Sequence, residues 1–192
     1  MLVPPVLPAG SLRAVRQPRL DADGGLTLRP WRVGDAGTVR RAFECPEIQR
    51  WHLRRMADEV EARDWTARWP AGWAAETDAS WAVLAEPTGE PVGQVGLREI
   101  RLDQASAELS YWVMPAARGR GVAVAAVRAV QVWAFDRLGL HRLDLRHSTA
   151  NRASCRVADR LGYPVEGTLR RAWWHADGWH DVHLHARLRD EG

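Results

Sequence analysis

The stretch from residue 107 to residue 138 constrains the fold most, because a strand pattern runs through a glycine loop directly into a long apolar helix. Residues 107–114 alternate in polarity, as expected for a strand whose two faces differ. Residues 121–138 carry an apolar helical face, and Gly139 predicts the end of that helix. A long helix between strands is a crossover connection, so we expect one parallel strand pair.

The remaining elements surround this unit with short strands and helices. We predict strands at residues 26–32, 81–86, 92–100, 141–147, 163–169 and 182–188, with a hairpin turn at 87–91. We predict helices at residues 35–43, 46–51, 57–69 and 151–161, with Pro70 interrupting the third and Asn151 capping the last. The order predicts a mixed α/β domain, in which an antiparallel meander is followed by a helical crossover to a parallel neighbour.

Composition narrows the functional class. The 192 residues suffice for one domain, and we expect residues 1–24 to form an arm outside the core of a domain spanning 25–192. No apolar run approaches the roughly 20 residues that cross a bilayer, and Cys45 and Cys155 are interpreted as reduced core residues of a cytoplasmic protein. All 27 basic residues are arginines interspersed with 24 acidic ones, which argues against a nucleic-acid-binding stripe despite the net charge of +3.

The loop before the long helix is suited to an anionic ligand. A helix start presents unpaired backbone N–H groups and the positive end of the helix dipole, and both favour phosphate. Glycines allow the backbone to approach a pyrophosphate closely, and arginines add positive charge. The residues expected to bind the ligand here are Arg118, Gly119, Arg120, Gly121, Val122 and Ala123.

Two motifs, about thirty residues apart, resemble the GNAT acyltransferase superfamily. Arg118-x-x-Gly121-x-Ala123 matches its coenzyme A signature, and Asn151-x-x-Ser154 followed by Leu161-Gly162-Tyr163 is similar to a block of its RimJ/RimL branch. The resemblance covers about residues 26 to 189, and the departure is Tyr163, where phenylalanine is usual. It implies a GNAT fold, with a central mixed, mostly antiparallel sheet and helices on both faces.

The resemblance also implies an activity. Such an enzyme moves an acetyl group from acetyl-CoA to a primary amine, on a protein N-terminus or a small molecule, by direct attack of the amine on the thioester. It needs no metal, and dimers are common in the branch. The alternative is a catalytically silent protein that binds acyl-CoA and acts as a sensor or partner.

Specific residues are expected to serve this chemistry. Glu108, on the strand, is the candidate base that deprotonates the amine; the alternative is a solvated or ion-paired carboxylate. Ser154 is the candidate acid for the departing thiolate; the alternative is helix capping. The resemblance places Asn151 on the pantetheine of acetyl-CoA. We expect the strand end at Trp112 and Val113 to contact acetyl-CoA through the backbone N–H of Val113.

Histidines and tryptophans remain to be assigned. His183 and His185 share one face of the last strand, a spacing that can bind zinc, but we expect them to line an acceptor cleft or to face solvent. Most of the eleven tryptophans are interpreted as core residues, and some as walls of an acceptor pocket.

Overall fold

The computed structural model describes residues 3–52, 54–87 and 89–191, and within them the chain forms eight strands and six helices. The strands are β1 (Leu20–Ala22), β2 (Leu26–Pro30), β3 (Ala79–Ala85), β4 (Glu90–Arg101), β5 (Ser106–Val113), β6 (Arg142–Ser148), β7 (Val165–His175) and β8 (Gly178–Leu188). The helices are α1 (Ala36–Glu44), α2 (Pro46–His52), α3 (Glu59–Ala67), α4 (Trp69–Ala75), α5 (Val122–Trp133) and α6 (Arg152–Leu161). None of the helices within the described ranges is long and apolar enough to span a membrane.

All eight strands belong to one sheet. Its order is β1-β2-β3-β4-β5-β6-β8-β7. Every neighbouring pair is antiparallel except β5 and β6, which the crossover through α5 makes parallel. The predicted mixed, mostly antiparallel sheet is therefore confirmed.

The sheet separates two apolar cores. On one face, α5 and α6 cover a core that includes Leu109 and Leu145. On the other face, α1 and α3 cover a smaller core around Trp112 and Trp65. Because successive strand residues point to opposite faces, β5 supplies Leu109 to one core and Trp112 to the other. Helices on both faces are thus confirmed as well.

The expectation that residues 1–24 lie outside the core is wrong for the described part of that segment; Met1 and Leu2 lie outside the described residues. Leu12 is fully buried in the core that α5 and α6 cover, and β1 adds an edge strand beside β2. The Glu76 carboxylate accepts backbone N–H bonds from Gly10, Leu12 and Arg13 at 2.7 to 3.1 Å. Short apolar segments between prolines leave no periodicity, so their burial was not visible in the sequence pattern.

Several predicted boundaries also change. Pro70 does not simply end a helix: it lies in the first turn of α4, where proline is tolerated because its missing N–H would be unpaired. The helix predicted to reach residue 138 ends as α5 at Trp133 and continues as one π-helical turn. The predicted turn at 87–91 contains Thr88, which lies outside the described residues. Cys45 and Cys155 are half-buried free thiols and not core residues.

Candidate active site

The strands β5 and β6 separate partway along their length. They pair from Ser106 opposite Arg142 to Leu109 opposite Leu145, and β5 then continues to Val113 without a partner on that side. An unpaired strand edge leaves backbone groups that must find other partners. The separation therefore opens a gap in the sheet beside the last residues of β5.

The odd-numbered residues of β5 direct their backbone groups toward this gap. At the start of the strand, the carbonyl of Ala105 accepts N–H bonds from the beginning of β6. At its end, the carbonyl of Tyr111 accepts from His52 Nε2 at 3.0 Å, and that of Val113 accepts from Arg118 Nε at 3.0 Å. Since the N–H and C=O of one strand residue point to the same side, the N–H groups of Tyr111 and Val113 also face the gap.

A cavity of about 410 Å³, here called the helix cavity, extends from the gap to the start of α5. Of the residues predicted to bind the cofactor, the loop and helix contribute Arg118, Gly119, Gly121, Val122 and Ala123 to its lining. The strand and α6 contribute Trp112, Val113 and Asn151. Arg120 is exposed and is not part of this lining. The Trp112 ring packs against Trp31 and Phe43, so it forms a supporting wall.

The glycine loop has a conformation that glycine makes accessible. Gly119 and Gly121 have φ angles of 76° and 79°, in the left-handed region that side chains rarely adopt. A Cβ at either position would meet no atom within 4 Å, so the surface over the loop is open. Gly121 directly precedes α5, whose first N–H groups have no intrahelical partner. The loop can therefore receive an anion on backbone donors.

The start of α6 forms the opposite wall. The Asn151 side-chain oxygen accepts the N–H of Ser154 at 3.2 Å, so Asn151 caps the helix as predicted. This leaves the Ser154 hydroxyl free of any capping role. Ser154 lies close to the buried Tyr111 hydroxyl, which has no hydrogen bond of good geometry among the described residues.

A second cavity of about 420 Å³, here called the hairpin cavity, lies on the other side of the gap next to the β7–β8 hairpin. Its walls include Glu108, His175 and the tryptophans Trp51, Trp173 and Trp174. The two cavities share five lining residues, namely Trp51, His52, Tyr111, Asn151 and Ser154. They therefore meet at the gap, where both predicted catalytic residues, Glu108 and Ser154, lie.

The electrostatic environment of Glu108 suits proton transfer. Its side chain is 19% exposed, and Arg146 Nε lies 3.4 Å from one carboxylate oxygen. Burial raises the pKa of Glu108 to about 7, although the Arg146 charge opposes the shift. A carboxylate with a pKa near neutrality can both take up and release a proton at working pH.

Sequence patterns did not single out Tyr111, His52 or His175 for this site. Burial lowers the pKa of His52 to about 4, so its neutral ring donates Nε2–H to the Tyr111 carbonyl. His175 is 1% exposed, and its Nδ1–H donates to the Arg50 carbonyl, which leaves a buried Nε2 without a partner among the described residues. Strand alternation puts Tyr111 on the same face of β5 as the buried Leu109, and the gap in the sheet gives Tyr111 access to both cavities.

The chain is similar to known acetyltransferases. The family model described as "Acetyltransferase (GNAT) domain" matches residues 25–164. The uncharacterized N-acetyltransferase YoaA of Bacillus subtilis is 25% identical over 90% of this chain and 97% of its own length. The ribosomal-protein-serine acetyltransferase of Escherichia coli is 30% identical, but the match covers 53% of this chain and 56% of that protein.

A solved structure shows the same fold. The structure described as RimL, a ribosomal L7/L12 alpha-N-protein acetyltransferase in complex with coenzyme A, superimposes with a TM-score of 0.83 at 18% identity. The match covers 91% of this chain and 100% of the RimL chain. The chain resembles members of the RimJ/RimL-like branch, and the family model and the fold agree that it belongs to the GNAT family of N-acetyltransferases.

Proposed function

We propose that the protein transfers an acetyl group from acetyl-CoA to a primary amine at the gap between β5 and β6. The observation that carries this proposal is the meeting of two cavities at an unpaired strand edge, with one side lined by the glycine loop and the other by Glu108. The donor and the acceptor can therefore approach the same point from opposite sides.

The helix cavity is the donor side. The pyrophosphate of acetyl-CoA would bind the open surface over Gly119 and Gly121, with the first N–H groups of α5 and the Arg118 guanidinium as partners. The pantetheine would extend along the β5 edge toward Asn151. There the N–H groups of Val113 and Tyr111 are available for the pantetheine amides and the thioester carbonyl.

The hairpin cavity is the acceptor side, where the chemistry begins with proton removal. Glu108 accepts a proton from the ammonium, directly or through water, and the freed lone pair attacks the thioester carbon. The tetrahedral oxyanion is stabilised by a backbone N–H of the β5 edge. When the C–S bond breaks, the CoA thiolate takes one proton from the Tyr111 hydroxyl, next to Ser154. The attacking nitrogen loses its remaining extra proton, which restores that hydroxyl, and the products are the N-acetyl amine and free CoA.

The hairpin cavity favours an acceptor with a single amine, such as a protein N-terminus. Among its described lining residues Glu108 is the sole carboxylate, and it lies next to the Arg146 cation. A polyamine carries several ammonium groups and needs several carboxylates to replace their hydration. The aromatic walls instead suit an ammonium next to an apolar or peptide group.

Free CoA can be measured with a thiol reagent while acetyl-CoA is presented with a panel of amines. We expect release with peptides that have a free N-terminus, little release with spermidine, and none with the same peptides acetylated at the N-terminus. Calorimetry should show binding of acetyl-CoA. Binding without turnover on any amine would contradict transfer, and absence of binding would also remove the donor site.

A further inference from the structure

Three histidines and a cysteine converge between the sheet and α6, next to the hairpin cavity, whose lining includes His147. His147 on β6 lies directly opposite His183 on β8. His185 is two residues further along β8, and its ring stacks on that of His147 with centroids 5.0 Å apart. Cys155 on α6 places its Sγ 4.0 Å from His183 Nδ1. Nothing in the proposed acetyl transfer uses this group.

The hydrogen bonds of two of these rings define where their lone pairs lie. His147 Nδ1 lies 2.8 Å from the Ser148 carbonyl, and His185 Nδ1 lies 2.9 Å from the Tyr163 carbonyl. A carbonyl oxygen can only accept, so both Nδ1 atoms carry the proton. In the neutral rings both Nε2 atoms are therefore unprotonated. These two Nε2 atoms are 3.1 Å apart.

Two facing lone pairs at this distance cannot form a hydrogen bond, and both rings are almost fully buried, at 3% and 1% exposure. Either an extra proton or a cation must lie between them. A tetrahedral zinc ion with Zn–N bonds of about 2.0 to 2.1 Å holds its nitrogen ligands roughly 3.3 Å apart. The observed Nε2 separation is close to that value.

His147 also belongs to a group of donors that does not include His185. Donor atoms of His147, Cys155 and His183 all lie within 4.8 Å of one another. Imidazole nitrogen and thiolate sulfur prefer zinc and similar ions over magnesium or calcium. Ligating histidines usually donate their other ring N–H to a carbonyl or carboxylate, as the rings of His147 and His185 do here.

We propose that His147, Cys155 and His183 bind a zinc-type transition metal ion between the sheet and α6, with His185 as the adjacent fourth donor. The sequence did not predict this site, because spacing alone cannot show matched ligand geometry and the resemblance implies no metal. Packing of β6 and α6 against β8 adds the other two donors. Since Cys155 follows Ser154 on α6, a bound ion would tie the helix that carries Asn151 and Ser154 to the sheet.

The 192-residue chain, freed of any affinity tag and stripped with a chelator, should bind about one zinc per chain, as measured by mass spectrometry. Cobalt(II) reports the ligand directly, because a thiolate ligand adds a sulfur-to-cobalt charge-transfer band in the near ultraviolet. We expect this band in the unsubstituted chain and a rise in melting temperature when zinc is added.

The two cysteines supply a matched pair of variants. Cys155→Ser should lose the charge-transfer band and weaken zinc binding by about tenfold or more, whereas Cys45→Ser should keep both. His183→Gln, which leaves the thiol in place, should also weaken zinc binding. Circular dichroism of the metal-free variants checks that they fold. The proposal is overturned if the folded, unsubstituted chain binds no zinc, or if the band persists in Cys155→Ser. Neither result would bear on acetyl transfer.

Discussion

Burial raises the pKa of two side chains of β5, with different chemical consequences. Glu108 reaches a pKa of about 7, so it is partly ionised at neutral pH and can accept a proton. Tyr111 reaches about 12, so it stays protonated and can donate a hydrogen bond to a leaving thiolate. The two groups therefore suit opposite halves of an acyl transfer.

The pH dependence of the rate tests the role of Glu108. Below its pKa the carboxyl is protonated and cannot accept a proton, so kcat/KM should fall by about tenfold per pH unit below about pH 7. Glu108→Gln should lower kcat by about 10²-fold or more at neutral pH and change KM less. The same acceptor must be used for both proteins, because its own ionisation contributes equally to each. An unchanged rate would remove Glu108 as the base.

The two tyrosines of the chain allow a matched test of the acid. Tyr111→Phe should lower kcat by about tenfold and leave the KM for acetyl-CoA almost unchanged. Tyr163 is buried more deeply than Tyr111 but lies in neither cavity lining, so Tyr163→Phe should keep full activity. Steady-state kinetics of both variants measures this, and equal effects would argue for a general packing role.

At the scale of elements, the site depends on how helices begin. The α5 start follows a glycine in the left-handed region, while the α6 start is capped by Asn151 and presents Ser154. Both starts are directed at the gap because β5 and β6 separate after Leu109. Local chain conformation and sheet register therefore act together to form the donor side.

A pair of glycine substitutions separates backbone strain from ligand binding. Gly121→Ala should lower the free energy of unfolding by about 1 kcal/mol, because a side chain disfavours its φ of 79°, and should weaken CoA binding several-fold. Gly25 has a φ of 70° and equally open surroundings, far along the sheet from the cavity. Gly25→Ala should be similarly destabilised but bind CoA normally. Urea unfolding and calorimetry measure the two quantities.

At the scale of the whole molecule, the N-terminal segment is part of the domain. Backbone carbonyls of this segment also accept indole N–H bonds: Trp73 donates to Val15 and Trp81 donates to Pro18, at 2.9 and 2.8 Å. Together with buried Leu12 and the Glu76 carboxylate, these contacts hold the segment against α4 and β3. Truncation at residue 24 would expose the core beneath it.

Two substitutions within this segment measure its contribution. Leu12→Ala removes a fully buried side chain and should lower the free energy of unfolding by about 2 to 5 kcal/mol. Val15 is 52% exposed, so Val15→Ala should change the free energy of unfolding by less than about 0.5 kcal/mol. Urea unfolding followed by tryptophan fluorescence measures both. A small effect of Leu12→Ala would show that the segment contributes little to the core.

The regular parts of the fold were predictable from local pattern. Alternation on β5, the apolar face of α5, and the end signals at Gly139 and Gly162 specify their elements through short-range geometry. The same applies to the glycine loop, whose chemistry follows from a helix start. Local signals also predicted a parallel neighbour for β5, because a long helix must carry the chain across the sheet.

Only the packed structure decided which distant residues meet. The separation of β5 from β6 depends on sheet register, and it gives Tyr111 and His175 access to one reaction site with Ser154. The burial of Leu12 and the convergence of His147 with Cys155 and His183 likewise depend on contacts between elements far apart in the chain. Periodicity records which face of an element is apolar, whereas these contacts depend on how whole elements are placed against one another.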